Sequence, residues 1–211
     1  MISISQFSEK LKQQLKYLPG HEAQYKMATE NRLPHKEWER YYADAKKGGV
    51  LILFYPHRSA IHTVLIQRPK YDGVHSGQVG FPGGAREKGD ATMIDTALRE
   101  AEEEIGVSRK KISVLGQLTE LYIPPSNFLI TPVIGYAPER PAFEIDKREV
   151  VELIEPSVNE LMDESTRGVK QIHIRGSITI QAPTFNIQGR AVWGATAMMI
   201  SELNEVLRNA V

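Results

Sequence analysis

Short strand-like runs interleaved with a few amphipathic helices, with no linker-like stretch between them, predict one α/β or α+β domain. A length of 211 residues suffices for one well-buried core, and 41% hydrophobic against 25% charged residues is ordinary for a globular chain. Lys and Arg total 26, as do Asp and Glu, so overall charge offers no steering toward nucleic acid or an acidic membrane. Cysteine is absent, which removes disulfides, thiolate nucleophiles and thiolate zinc sites. The N-terminal "MISISQFSEKLKQQLKYL" has no apolar run of signal-peptide length, and "GVLILFY" at 49–55 is too short to span a bilayer. The expectation is a cytoplasmic protein with neither nucleic acid nor membrane as partner.

The elements follow in order. Phe7, Leu11, Leu15 and Tyr17 among polar residues predict an amphipathic helix over 5–17, also a candidate dimer element. "YLPGHEAQYKMATENRLPH" reads as an irregular connection, so residues 1–45 are expected as a helix and connection packed on a core formed by 46–211. Strand-like runs occupy 50–55 and 61–67, with another ending at Phe81. A helix then opens at Asp90 or Thr92, both N-capping residue types, and stops at Gly106. Apolar runs at 112–123 and 128–136 flank "PPSN", a turn by composition. Ser157 and Glu160 predict a capping box opening a short helix within 156–166. "KQIHIRGSITI" and "TFNIQGR" read as strands, and Ala197, Ile200, Leu203 and Leu207 stripe the last helix.

The helix before Gly106 carries the chemistry. Ala97, Leu98, Ala101 and Ile105 share one stripe, and Glu100, Glu103 and Glu104 share the neighbouring one. Like charges at that spacing repel by roughly 0.2–0.5 kcal/mol per pair. Arg99 is placed to pair with Glu103 at i,i+4, leaving Glu100 and Glu104 without a helical cation. The preceding "FPGG" lets the backbone turn sharply and approach a ligand closely. Glycine carbonyl plus helix carboxylates is an oxygen-ligand set for Mg²⁺ or another hard divalent ion, whose charge would cancel the repulsion.

The run from Arg99 to Val107, "REAEEEIGV", resembles the Nudix box, the signature of hydrolases of nucleoside diphosphates linked to another group. The front half departs: Asp90 stands where the pattern has Glu, one residue too far from Arg99. The resemblance implies an α/β/α sandwich with a mixed sheet, here with an added N-terminal helix, and 46–211 as the Nudix hydrolase domain. It also implies water attack on a diphosphate assisted by Mg²⁺ or Mn²⁺. Carried onto this chain, Glu100 and Glu104 are direct metal ligands, with Gly84 supplying a carbonyl. Glu103 is a third ligand or the base, and Arg99 orients a carboxylate.

"RPKYDGVHSGQVGFPGG" is similar to the segment that marks coenzyme A pyrophosphatases, with Arg68, Gly77, Phe81, Pro82, Gly83 and Gly84 in step. "LYIPPSNFLITPVIGY" and "VWGATAMMI" resemble later segments of the same group, so the likeness spans roughly 50–205. Gly73 replaces that group's second Arg, and Pro69 its small residue. The expected substrate is coenzyme A or a thioester of it, cleaved to 3',5'-ADP and (acyl-)4'-phosphopantetheine. NADH or ADP-ribose is the alternative within the enzyme class, and a non-catalytic nucleotide-binding module the alternative outside it. The last would be expected to lose box carboxylates, and all three are kept.

Other candidates are weighed against plainer roles. Arg68 and His75 are expected near phosphate, with Gly83 and Gly84 lining the substrate site. Phe128, after Ser126 and Asn127, offers a ring for adenine, although packing of a Pro-rich turn explains it more simply. Trp193 reads as core packing. Glu149, Glu152 and Glu155 are the place to seek a base outside the box, each on a face more simply explained by solvation. No histidine spacing suggests zinc, and no "GxSxG" supports a serine triad.

Overall fold

The structure, a computed structural model, describes residues 2–72, 75–173 and 179–210. Three short helices come first: α1 (Ile4–Gln14), α2 (Gly20–Tyr25) and α3 (His35–Trp38). Strands β1 (Lys46–His57), β2 (Ala60–Thr63), β3 (Leu65–Gln67), β4 (Val79–Gly80) and β5 (Gly83–Ala85) lead into α4 (Met93–Ile105). Then come β6 (Ser113–Gln117), β7 (Leu121–Ile123), β8 (Phe128–Tyr136), β9 (Glu152–Ile154) and α5 (Val158–Met162). The chain ends with β10 (Arg167–His173), β11 (Thr179–Ile187), β12 (Arg190–Trp193) and α6 (Gly194–Leu207).

β1 and β8 run parallel through the centre of a six-stranded sheet whose other pairings are antiparallel, so the sheet is mixed. β2 and β5 share one flank of β1, while β6 and β7 share the far flank of β8. Alternation along β1 decides the layers. Leu51, Leu53 and Tyr55 pack with Ala97, Ala101 and Ile105 of α4, whereas Ile52 and Phe54 pack with Phe7, Leu11, Ile200 and Leu203. The result is an α/β/α sandwich. Two small sheets, β4-β3-β9 and β10-β11-β12, border it.

Several sequence boundaries shift for physical reasons. α1 stops at Gln14 and leaves Tyr17 84% exposed, because Pro19 cannot continue a helix and restrains its predecessor. The stretch expected to be irregular holds α2 and α3, which start directly after Pro19 and Pro34. Proline lacks an N–H that a first turn leaves unpaired anyway, so here it opens helices. The 61–67 run divides at Val64, with β2 pairing to β1 and β3 crossing to the β4-β3-β9 sheet. Residues 174–178 of the strand run at 170–180 lie outside the described residues, and so does the Gly73 departure. Ser157 and Glu160 do form the capping box of α5.

Candidate active site

Thr92 caps α4 in a reciprocal box with Asp95, and Gly106 ends the helix at φ 70°, a left-handed conformation that glycine adopts freely. Asp90, the other cap candidate, serves a different purpose. Arg99 donates from Nε to Asp90 Oδ1 at 3.1 Å and from Nη2 to Oδ2 at 3.0 Å. The same guanidinium donates to the Ala85 carbonyl at 2.9 Å, to Glu100 Oε1 at 2.9 Å and to Glu103 Oε2 at 3.0 Å. Glu100 therefore does have a cation beside it, because the fork of Arg99 serves i+1 as well as i+4. Those Arg99 bonds, with donors from Glu87 N and Thr96 Oγ1, hold the Asp90 carboxyl well below the usual carboxylate range. Asp90 thus anchors the arginine that sets Glu100, a role its spacing from Arg99 hid.

Glu104 is 1% exposed. Its Oε2 accepts from Gly83 N at 2.7 Å, while Oε1 has no hydrogen bond and faces Arg68 Nη2 at 3.3 Å. Burial pushes the Glu104 carboxyl up to about 7 against the opposing pull of Arg68 and Gly83 N. Burial also raises Glu100, outweighing Arg99. Arg68 in turn donates to Gly83 O at 2.8 Å. Where a Cβ on Gly84 would sit, the Glu100 carboxylate lies 2.5 Å away, so the bare glycine is the cradle for that group.

Of the three carboxylates sought outside the box, Glu152 is engaged by Arg190 and Glu155 by Arg140 and Tyr55. Glu149 instead adds its negative field to both Glu100 and Glu104, and among the described residues its carboxylate has no hydrogen bond or ion pair. Glu103 points outward, 58% exposed, held by Arg99. As placed, no three His, Cys, Asp or Glu side chains among the described residues stand close enough to ligate one ion. The donors nonetheless fit a hard divalent cation: the half-buried Glu100 and the buried Glu104, one of whose oxygens has no hydrogen bond, crowd a glycine backbone, and Glu100 raises the cost of ionising Glu104.

Beside this cluster opens a cavity of about 530 Å³. Arg68, His75, Gly83 and Gly84 line its carboxylate end, and Phe128, Ile130, Met198 and Met199 form apolar wall. His75 Nδ1 is 3.1 Å from Gln78 Oε1, so its ring is oriented locally while it faces the cavity. Phe128 is half-buried at the start of β8, with Lys46 Nζ 5.8 Å from its ring centre. Trp193, expected in the core, is half-buried and lines the same cavity, because its strand ends at the cavity wall just before α6. Arg32, Ile123 and Ser126 also line it; the first comes from a segment that read as a mere connection.

The NUDIX domain model matches residues 45–172. The chain is 36% identical over 140 residues to a protein of Yersinia enterocolitica described as uncharacterized Nudix hydrolase NudL, covering 66% of this chain and 71% of that one. A NudL of Photorhabdus laumondii is 35% identical over 129 residues, 61% of this chain and 68% of the relative. Among solved structures, the Nudix hydrolase RenU of M. smegmatis superposes with a TM-score of 0.55 at 20% identity, over 78% of this chain and 86% of that one. A MutT/nudix family protein of Enterococcus faecalis gives 0.52 at 16% identity, over 89% and 73%. These two show a shared fold. With the model spanning most of the chain and the sheet, helix and carboxylates arranged as described, the protein belongs to the Nudix hydrolase family, which acts on pyrophosphate bonds.

Proposed function

We propose that the chain is a Mg²⁺- or Mn²⁺-dependent pyrophosphohydrolase that cleaves coenzyme A or its thioesters to 3',5'-ADP and (acyl-)4'-phosphopantetheine. One observation carries the reading: Arg68 belongs at once to the buried carboxylate cluster and to the wall of the cavity. A diphosphate bound beside Arg68 would therefore lie against Glu100 and Glu104. The agreement of Arg68, Gly77 and "FPGG" with the coenzyme A segment supports the substrate.

In this reading Glu100 and Glu104 hold the metal with help from the Gly84 backbone. When bound, the metal would offset phosphate charge and lower the pKa of water. Arg99, fixed by Asp90 and the Ala85 carbonyl, keeps Glu100 in place. Glu149 accepts the proton of the attacking water as its oxygen bonds to phosphorus and the bridging P–O bond breaks. Arg68 donates to the phosphate as charge moves to the leaving group.

The test is chromatography with mass spectrometry on coenzyme A, acetyl-coenzyme A, NADH and ADP-ribose, with Mg²⁺ or Mn²⁺ and with Glu104→Gln alongside. Fastest release of 3',5'-ADP, reduced on the order of 10²-fold or more in the variant, is expected. Faster cleavage of NADH or ADP-ribose would remove the coenzyme A assignment. No cleavage of any of the four would remove the enzyme reading.

A further inference from the structure

We propose that Arg32, with Ser126 of the same cavity wall, recognises a second anionic group on the non-reacting part of the substrate, of the phosphomonoester class. The inference rests on the reading of the cavity as the substrate site. Arg32 Nη2 is held by the Tyr122 carbonyl and the guanidinium carbon sits 5.4 Å from the centre of the Tyr25 ring, so the group is fixed in place. Its Nε is buried with no hydrogen-bond partner, and so is Ser126 Oγ. No carboxylate among the described residues pairs with it. A fixed cation with an unused donor, and an unused hydroxyl lining the same cavity, are satisfied by an anion with several acceptor oxygens.

The sheet excludes the scissile diphosphate as that anion. Ala85 pairs with Gly48, Gly48 with Ile130 and Ile130 with Leu121, so one row of residues crosses four strands from β5 to β7. Glu100 lies against Gly84 at the first strand, and Arg32 is anchored to Tyr122 on the last. Three inter-strand spacings separate those strands by about 14 Å. Phe128 and Ile130, on the intervening strand β8, line the cavity and carry no charge. A group read by Arg32 must be carried on the body of the substrate, as the 3'-phosphate is carried on the nucleoside of coenzyme A. Arg32 precedes the matched residues 45–172, so the discrimination would be supplied by this chain's N-terminal segment.

Binding of 3',5'-ADP and of 5'-AMP, which differ only in that phosphate, separates this idea from catalysis. Calorimetry on the full chain in chelator should show 3',5'-ADP bound on the order of tenfold more tightly or better. Arg32→Gln should bring the ratio near one, Arg32→Lys should leave part of it, and Ser126→Ala should reduce it. Equal affinities in the unaltered chain, or an Arg32→Gln ratio that stays at its original value, overturn the proposal. Should Arg32→Gln melt with the loss of the fold, Arg32→Lys and Ser126→Ala decide: a reduced ratio supports the proposal and an unchanged one removes it. The kcat/KM ratio of coenzyme A to dephospho-coenzyme A tells the two readings apart. Hydrolysis without discrimination removes Arg32's role alone; discrimination in binding without hydrolysis removes only the enzymatic reading.

Discussion

Gly84 has no side chain, and the space one would fill holds the Glu100 carboxylate at 2.5 Å. Gly84→Ala meets only the movable end of a glutamate, so the melting temperature should hardly change. The carboxylate must move, however, and displacement of about 1 Å costs on the order of 10²-fold in kcat. Unchanged kinetics would show that Glu100 is not placed by that contact. Gly83 behaves differently: its φ is 153° and a Cβ would lie 2.4 Å from the Gly49 carbonyl, so Gly83→Ala should unfold the chain instead. Asp90 sets a pH limit. Because Arg99 depresses its carboxyl below the ordinary 3.8, the folded chain binds fewer protons there than the unfolded one. That contribution is complete above pH about 4 and fades as pH falls further. Asp90→Asn should thus lower stability at pH 7 and flatten the acid limb of denaturation, read by urea melts across pH; an unaltered limb would contradict the pairing.

At the scale of elements, α4 sits closer to the sheet than side chains would allow. A Cβ on Gly49 would lie 2.6 Å from the Met93 carbonyl and 3.1 Å from Ala97 N, both backbone atoms that cannot rotate aside. Gly49→Ala should therefore push α4 outward and destabilise by about 1–3 kcal/mol in chemical denaturation. Glu100 and Glu104 ride on that helix, so activity should fall further than stability alone explains. A variant as stable as the original would mean the helix has slack. The periodicity of α4 and its stop were legible in the sequence because both are local, whereas its cap was narrowed only to Asp90 or Thr92. The closeness was not legible, since Gly49 and Met93 are far apart along the chain and nothing in either residue announces the other.

The whole molecule is joined by a buried carboxylate. Glu202 on α6 is fully buried and accepts from Gln24 Nε2 at 2.8 Å, Thr119 Oγ1 at 2.6 Å and Thr119 N at 3.2 Å. Gln24 also donates to the Thr119 carbonyl at 2.8 Å, and Ser201 Oγ to the Ala23 carbonyl at 2.7 Å. The N-terminal segment is thereby fastened to the last helix and to the chain before β7, near the place where Arg32 is held. Glu202→Ala strands those donors and should destabilise by about 1–3 kcal/mol. It should also weaken nucleotide binding in calorimetry, by loosening the segment that carries Arg32. Intact binding alongside the lost stability would show that the segment is held by its apolar contacts, Phe7, Leu11 and Met27 among them.

The sequence by itself determined what depends on neighbours along the chain: the longer strands and helices, though not α2, α3 or β9, the carboxylate stripe of α4, the Gly-Gly turn and the Nudix pattern that names the chemistry. These signals are local because helix period, capping and turn formation act over a few residues. Only the tertiary structure decided which groups meet. It brought Asp90 to Arg99, Arg68 to Glu104 and the field of Glu149 onto both Glu100 and Glu104, and it turned Trp193 and Arg32 to one cavity. Those meetings follow from sheet register and from burial, which fix long-range distances and raise or lower the cost of each charge, and neither is written in any short stretch of residues.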